Sequence, residues 1–408
     1  TAGCGFILTI KNPEGGEIPG LRFDPNGKVL TGFKKIQLSD QFYAEGATAG
    51  DFNRDGKMDV VAGPYWFAGP DFKEQHEIRP PKKFDPLGYS DNFLSYTGDF
   101  NGDGWLDVFC VPFPGAEGFW YENPQGNAGH WPKHLAYPMV GNESPGWVDV
   151  NGDGRPDLIF NNDDYLGYAT YDPTQPNALW KFHAVSPKDK KYQRFTHGIG
   201  ADDLNGDGRV DLVESAGWWE QPADLKTDAP WKFHPYQFAE AASQMLVTDV
   251  DGDGLADVIN AWHCHRYGIL WNRQWRSSSG EIKWEQRVIM PPVPDLNVAT
   301  LRFSQLHAMT LADMNGDGLP DVVTGKRYWA HGPAGDVEPD APAVLYWFEL
   351  KRGRSGVEFV PHQIDDNSGV GTQVSAVDLN GDQKPDVIVG NKKGIFVHMN
   401  DSTGQTKR

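Results

Sequence analysis

A nine-residue pattern, D-x-[ND]-x-D-[GQ]-x-x-D, recurs seven times, starting at Asp51, Asp99, Asp149, Asp203, Asp249, Asp313 and Asp378. Successive copies start 46 to 65 residues apart, the period of a propeller blade once loop insertions are allowed. Each copy lies between short apolar runs bounded by Gly and Asp, such as Met245-Leu246-Val247-Thr248 before one and Val387-Ile388-Val389 after another. Such runs read as strands, and no stretch sustains a helical period. An aromatic third run follows, as in Phe119-Trp120-Tyr121 or Tyr346-Trp347-Phe348, then a fourth carrying His76, His134, His183, His234 or His362. Four strands repeated seven times predict an all-β chain, a seven-bladed β-propeller of four-stranded blades.

After the seventh loop the chain supplies only two more strands. The missing outer strand is expected from Phe33-Lys34-Lys35-Ile36-Gln37-Leu38, which would close the ring and leave no open sheet edge. Residues 1–32 then form an irregular arm and residues 33–408 the propeller.

Within each loop, positions 1, 3, 5 and 9 are always Asp or Asn, oxygen donors suited to Ca²⁺. They are Asp51, Asn53, Asp55 and Asp59; Asp99, Asn101, Asp103 and Asp107; Asp149, Asn151, Asp153 and Asp157; and Asp203, Asn205, Asp207 and Asp211. The remaining sets are Asp249, Asp251, Asp253 and Asp257; Asp313, Asn315, Asp317 and Asp321; and Asp378, Asn380, Asp382 and Asp386. Position 7 is chemically indifferent, as a backbone carbonyl ligand requires. Position 6 is glycine except at Gln383, and position 2 is always apolar. Up to seven Ca²⁺ are expected, and weak calcium sites suit a calcium-rich compartment, hence a periplasmic or secreted protein. The alternative is an Asx-rich turn that binds no ion.

Composition narrows the partners. A net charge of −19 argues against nucleic acid, and no apolar run approaches the ~18 residues of a membrane span. Three cysteines cannot build a disulfide framework.

The repeat resembles the FG-GAP/VCBS class of calcium-loop propellers over roughly residues 33–400. That resemblance implies the fold and the calcium and leaves the activity open, because function lives in sites grafted on folds.

Polar residues placed before the first strands and after the second strands would gather on the rim opposite the loops. His197, His263, His265, His307 and His331 fall in the fourth to sixth repeats, where converging imidazoles with Glu143 or Asp91 could hold Zn²⁺ or a similar cation. Cys264 between two of them reads as a small buried residue, and the outer-strand histidines as structural. Trp120, Trp219 and Trp347 read as packing between blades.

Trp-Trp-Glu-Gln-Pro from Trp218, Ser304-Gln305-Leu306-His307 and Lys326-Arg327-Tyr328-Trp329-Ala330-His331 resemble secreted bacterial FG-GAP proteins. Those in turn resemble the propeller part of aldos-2-ulose dehydratase, a lyase acting on keto-sugars; the cupin portion of that enzyme is absent here. The resemblance implies a carbohydrate lyase or dehydratase working by β-elimination. A rim metal, Arg327 or Lys326 would acidify the proton beside a carbonyl, and His197, His307 or Tyr328 would accept it. Glu45, Asp91, Asn92, Glu143, Gln244, Gln305, Trp218, Trp329 and Gln373 are the candidate contacts to a sugar or glycan. The rival expectation is a non-catalytic propeller binding glycan or protein on the same rim.

Overall fold

The computed structural model describes residues 10–11, 17–18, 32–226, 229–292, 301–354 and 356–401. The arm expected over residues 1–32 lies outside these apart from residue 32 and two short paired strands, Ile10–Lys11 and Glu17–Ile18.

The described chain is all-β, with one 3-10 turn at Lys190–Tyr192 and otherwise antiparallel sheets. The first repeat folds as a four-stranded sheet of Thr48–Gly50, Asp59–Ala62, Tyr65–Phe67 and Gln75–Glu77. The fourth to sixth repeats form three more, running Ile199–Asp202 to Lys232–Pro235, Leu246–Thr248 to Ile282–Met290 and Met309–Ala312 to Gly356–Asp365. The last contains Val374–Val377, Asp386–Asn391 and Gly394–Asn400, and its fourth strand is Phe33–Ser39, paired antiparallel to Gly394–Asn400.

The second and third repeats depart from the expectation of separate sheets: they share one seven-stranded sheet. Its middle strand, Lys133–Val148, pairs with Ala116–Tyr121 through its first half and with Asp157–Asn162 through its second. The register breaks between Gly141 and Gly146, around Asn142 with its φ of 74°. A bend within one continuous strand thus replaces the expected loop between outer and inner strands.

Burial explains the pattern. Second strands are covered on both faces, so Asp59–Ala62, Asp107–Val111, Asp257–Ala261 and Asp321–Gly325 are buried throughout. Loop position 2 plugs the sheets together: Phe52, Phe100, Val150, Leu204, Val250, Met314 and Leu379 are at most 2% exposed. Each such plug contributes roughly 1.5–3 kcal/mol of burial.

Adjacent repeats are also stitched by backbone hydrogen bonds. Glu45 N–H donates to Asn92 C=O, Asn142 N–H to Arg194 C=O, Met245 N–H to Ile199 C=O, and Gln305 N–H to Arg266 C=O. Val370 N–H then donates to Lys326 C=O, and Thr372 N–H to Glu45 C=O, joining the last repeat to the first.

Outer strands carry a repeated stack. His76, His134, His183, His234 and His362 lie flat on Trp66, Trp120, Tyr168, Trp218 and Trp347, with ring centroids 4.1, 4.2, 4.9, 4.0 and 4.3 Å apart. This pairing accounts for the periodic histidines. It also moves Trp218, 2% exposed, into the core and away from any sugar.

No helix among the described residues is long and apolar enough to cross a membrane.

Candidate active site

The two ends of the sheets use acidic and basic side chains differently. At the loop end, the position-9 aspartates are buried, each accepts from the backbone N–H at position 2, and all but Asp157 accept from a second backbone N–H farther along the chain. Asp107 accepts from Phe100 N at 2.9 Å and from Asn123 N at 2.8 Å; Asp321 accepts from Met314 N and Leu350 N at 2.9 and 2.8 Å. Burial raises the carboxyls of Asp107, Asp157, Asp211 and Asp321 to about 7, against the lowering by those N–H donors. Positions 1, 3 and 5 turn their oxygens inward onto the loop's own N–H groups. Asp99, for example, accepts from Gly102, Asp103 and Gly104. Asp249, Asp251 and Asp257 bring one oxygen each to within 4.8 Å of one another. Gln383 adopts a φ of 69° and its N–H bonds Asp378 at 2.8 Å, so the seventh loop closes like the others without a glycine at position 6.

At the opposite end, residues from the third to sixth repeats converge. His197 enters just ahead of strand Ile199–Asp202, through Gly198 at a φ of 90°. A Cβ at Gly198 would meet Ser215 Oγ at 2.8 Å and Ala242 Cβ at 2.9 Å, so glycine is needed there. After strand Asp257–Ala261, Cys264 N–H bonds Ala241 C=O at 2.7 Å and Arg266 N–H bonds His263 C=O at 3.0 Å. This turn directs Cys264 and His265 inward. His307 follows Gln305, whose φ of 63° and backbone bond to Arg266 set the entry to strand Met309–Ala312.

His197, Cys264, His265 and His307 each bring one donor atom to within 4.8 Å of the other three. The imidazole of His265 lies 5.0 Å from that of His197 and 4.5 Å from that of His307, centre to centre. Cys264 is fully buried and His307 is 2% exposed. His197 Nε2 and both nitrogens of His307 lack hydrogen-bond partners.

Carboxylates stand behind two of the rings: Glu143 Oε2 is 3.3 Å from His197 Nε2, and Asp336 Oδ1 is 3.4 Å from His265 Nδ1. Asp336 also accepts from His331 Nδ1 at 3.0 Å and from His331 N–H, both within the 325–343 excursion. Its contact with His265, together with the bonds of Gln305 to Val337 and Ala330, ties that excursion to the cluster.

Protonation follows from this crowding. Burial opposes charge on His197, but Cys264 and Glu143 outweigh it and raise the imidazole to about 10. Burial likewise opposes His265, which Asp336 and Cys264 raise to about 9. Burial, then Arg327 and the other histidines, holds His307 well below its ordinary value and neutral. Burial resists ionisation of Cys264, yet His197, His263 and His265 bring its thiol well below the usual range.

Beside the cluster, Arg327 is 1% exposed and pairs through Nη2 with Glu45, itself fully buried, while its Nε and Nη1 have no partner. Lys392, 6% exposed, donates to Trp329 C=O at 2.7 Å and sits 4.8 Å over the ring of Tyr89. Burial, then Arg327, lowers it to about 8. Lys326 is also lowered to about 8 by burial, but its surroundings are Glu338, Asp336 and Asp340, with Ser304 Oγ at 3.5 Å.

Several expected contacts hold other positions. His263 stays out of the four-donor group, because its Nδ1 accepts from His265 N–H at 3.2 Å. Cys264, expected to be only a buried small residue, is inside the group. His331 joins His265 and Asp336 in a second one. Asp91 is held by both terminal nitrogens of Arg79, at 3.0 and 2.7 Å. Asn92 spends its amide on Leu94, Ser95 and Gly63.

Gln244 ties Thr372 C=O to Met309 N–H, and Gln373 binds both Ser95 N–H and Ser95 C=O. Both glutamines are thus cross-sheet staples. Gln305 binds Val337 and Ala330 of the excursion. Tyr328 is stacked on Trp329 at 4.7 Å, and burial, then Asp340, raises its phenol, so it stays protonated. Trp329 donates to Asp340 at 2.8 Å. Lys392 and Asp336 were not foreseen; the only sequence signals were an Asn-Lys-Lys after a second strand and a long insertion.

Comparison with known proteins adds the repeat. A family model described as FG-GAP-like repeat matches residues 99–160 and 313–389. No curated protein matches the chain in sequence. Among solved structures, BBS1N from its complex with ARL6DN is 10% identical, with a TM-score of 0.50 over 93% of this chain and all of that one. The rhamnogalacturonan lyase YesW is 13% identical, with a TM-score of 0.47 over 97% of this chain and 80% of that one. An Agrocybe aegerita lectin that recognises non-reducing terminal N-acetylglucosamine is 16% identical, with a TM-score of 0.34 over 91% and 81%. The likeness to BBS1N is one of fold; the other two score lower and say nothing about chemistry here.

Proposed function

We propose that this chain is a periplasmic or secreted carbohydrate-active lyase or dehydratase, built on a closed seven-bladed propeller that calcium pins at the loop end. The chain of backbone bonds running from repeat to repeat and back to the first supports the ring. Seven similarly shaped acidic loops support the calcium, since an ion would neutralise carboxylates now crowded onto their own N–H groups.

One observation carries the catalytic reading: four donors, from buried Cys264 and His307 and half-buried His197 and His265, converge beside a buried, incompletely paired Arg327. Three imidazole nitrogens and a thiolate are a donor set for Zn²⁺ or a similar ion rather than for Ca²⁺ or Mg²⁺. Held by three of these donors, such an ion would keep a fourth position open and act there as a Lewis acid on a carbonyl or carboxyl oxygen. Glu143 and Asp336 orient His197 and His265, as carboxylates behind metal-bound imidazoles do. Arg327 faces the oxygen on which charge develops when the adjacent C–H proton leaves. With the histidines committed to the cluster, Lys392 replaces them as the proton acceptor, because a buried amine lowered to about 8 is partly neutral near physiological pH.

Elemental analysis tests the metal: about one zinc-class ion per chain is expected besides calcium. After cobalt substitution, a sulfur-to-cobalt charge-transfer band in the near ultraviolet should be lost in Cys264→Ser. Incubation with a panel of uronates and keto-sugars should release an unsaturated product absorbing in the ultraviolet. A zinc-loaded chain that binds these sugars without turnover is a glycan-binding module, and the lyase reading fails.

A further inference from the structure

We infer that the sugar taken by this site carries a carboxylate, so that the substrate class is a uronic acid and not a neutral keto-sugar. This rests on the lyase reading for its chemistry, but the recognition argument concerns Arg327 alone.

Arg327 reaches the cluster from the end of strand Asp321–Gly325, while its partner Glu45 comes from the first repeat. As a purely structural tie the pair is poorly finished. Arg327 Nε and Nη1 and Glu45 Oε2 are all buried without a partner, although both residues are at most 1% exposed. A guanidinium remains charged at any working pH and offers planar donors matched to carboxylates.

The other acids nearby are already engaged, Glu143 with His197 and Asp336 with His265 and His331. Arg327 also has Phe93 beneath it, its guanidinium carbon 5.6 Å from the ring centroid, so one flank is closed by an apolar surface. A neutral sugar would offer these donors only hydroxyls. A carboxylate supplies the missing acceptor and charge together.

The same contact serves the reaction. Lys392 takes the proton from the carbon bearing the carboxylate, and the C–H electron pair forms a carbon–carbon double bond to its neighbour. The bond from that neighbour to its oxygen substituent breaks, and the leaving oxygen departs with the electron pair and takes up a proton from water. No oxidant or reductant is needed. Arg327 holds the carboxylate while negative charge spreads onto it.

The test reads binding, without turnover. By calorimetry, the intact wild-type chain should bind galacturonate or glucuronate about ten- to hundredfold more tightly than the corresponding methyl ester, which keeps the shape and loses the charge. Arg327→Met should remove that preference, with near-ultraviolet circular dichroism confirming the fold. Glu45→Gln, which releases the third nitrogen of Arg327, should strengthen binding of the acid and leave that of the ester unchanged.

Equal affinity for acid and ester in the wild type overturns the inference, whatever the variants do. So does a preference that survives in folded Arg327→Met. Acid binding that depends on Arg327 without any unsaturated product sustains this inference and ends the lyase reading. Turnover of neutral keto-sugars with no affinity for uronates does the opposite.

Discussion

The two ends of the sheets are built from the same elements by opposite rules. At the loop end one nine-residue solution is used seven times, and every position-9 aspartate does what its counterparts do. At the other end roles vary from repeat to repeat: Glu143 pairs with His197 and Glu45 with Arg327, while Gln244 and Gln373 staple neighbouring sheets. Uniformity at one end supplies stability in equal increments. Irregularity at the other is affordable because that stability is secured elsewhere, and it is where a functional site would be placed.

If this division holds, the largest effects on stability come from the loop end. Ions that bind only the folded state each add RT ln(1 + [L]/Kd), about 2.7 kcal/mol at a hundredfold excess over Kd. Excess EGTA should therefore lower the melting temperature more than any single substitution, and calcium should restore it. An unchanged melting curve would mean that the loops are closed by their own N–H groups alone. Next in size is Asp321→Ala, which orphans the buried N–H groups of Met314 and Leu350 at roughly 1–3 kcal/mol each. Against a total stability of about 5–15 kcal/mol, that should be visible in any unfolding curve.

The opposite end should respond in activity rather than stability. Asp336→Asn should weaken zinc-class metal affinity about 10- to 100-fold, as loss of an orienting carboxylate does, with little change in melting. Equal affinity in the variant would reduce Asp336 to a tie for the 325–343 excursion.

The pH profile sharpens the same contrast. Lys392 is lowered to about 8 by burial and then by Arg327, while Glu45, Asp336 and Asp85 oppose the shift and Tyr89 lies beneath the amine. Its neutral fraction grows as pH rises through about 8, so kcat should climb across that interval and level off above it. Lys392→Arg keeps the cation at every pH and should abolish turnover while leaving the metal in place. A profile flat from pH 7 to pH 9 would exclude Lys392 as the base.

How legible each end was follows from the same difference. Repetition made the loops, the strand order and the outer histidines readable, because a feature seen five or seven times separates itself from chance. The position-9 aspartates were readable as oxygen donors on each loop, but not as caps on N–H groups at or beyond the third strand, which are distant in sequence. At the other end, residue type was a weaker guide. Polar residues at strand starts pointed to Glu143, His197 and His307, and the structure brings the two histidines into the cluster with Glu143 behind His197. The same signal also picked out Gln244 and Gln373, which satisfy backbone groups between sheets. Cys264 was passed over since a buried cysteine is ordinarily inert, and only the turn at His263–Arg266 reveals its company. Asp336 lies in an insertion whose fold-back onto His265 no local pattern records.

The smallest predicted effect tests whether a repeated feature away from the loops also contributes to stability. His234 lies 4.0 Å from Trp218 with the rings 6° from parallel, and its Nε2 meets Glu220 at 2.7 Å. The imidazole is part-exposed, so its ion pair with Glu220 is screened by solvent and adds little. The ring contact is what remains, worth about 0.5–1.5 kcal/mol beyond burial. His234→Ala should therefore shift unfolding modestly, and His234→Phe, which keeps the stack and removes the contact with Glu220, should recover most of the loss. If the phenylalanine variant recovers nothing, the pairing with Glu220 is the stabilising contact. His134 and His362, which meet Glu122 and Glu349 in the same way, would then be expected to show the same loss.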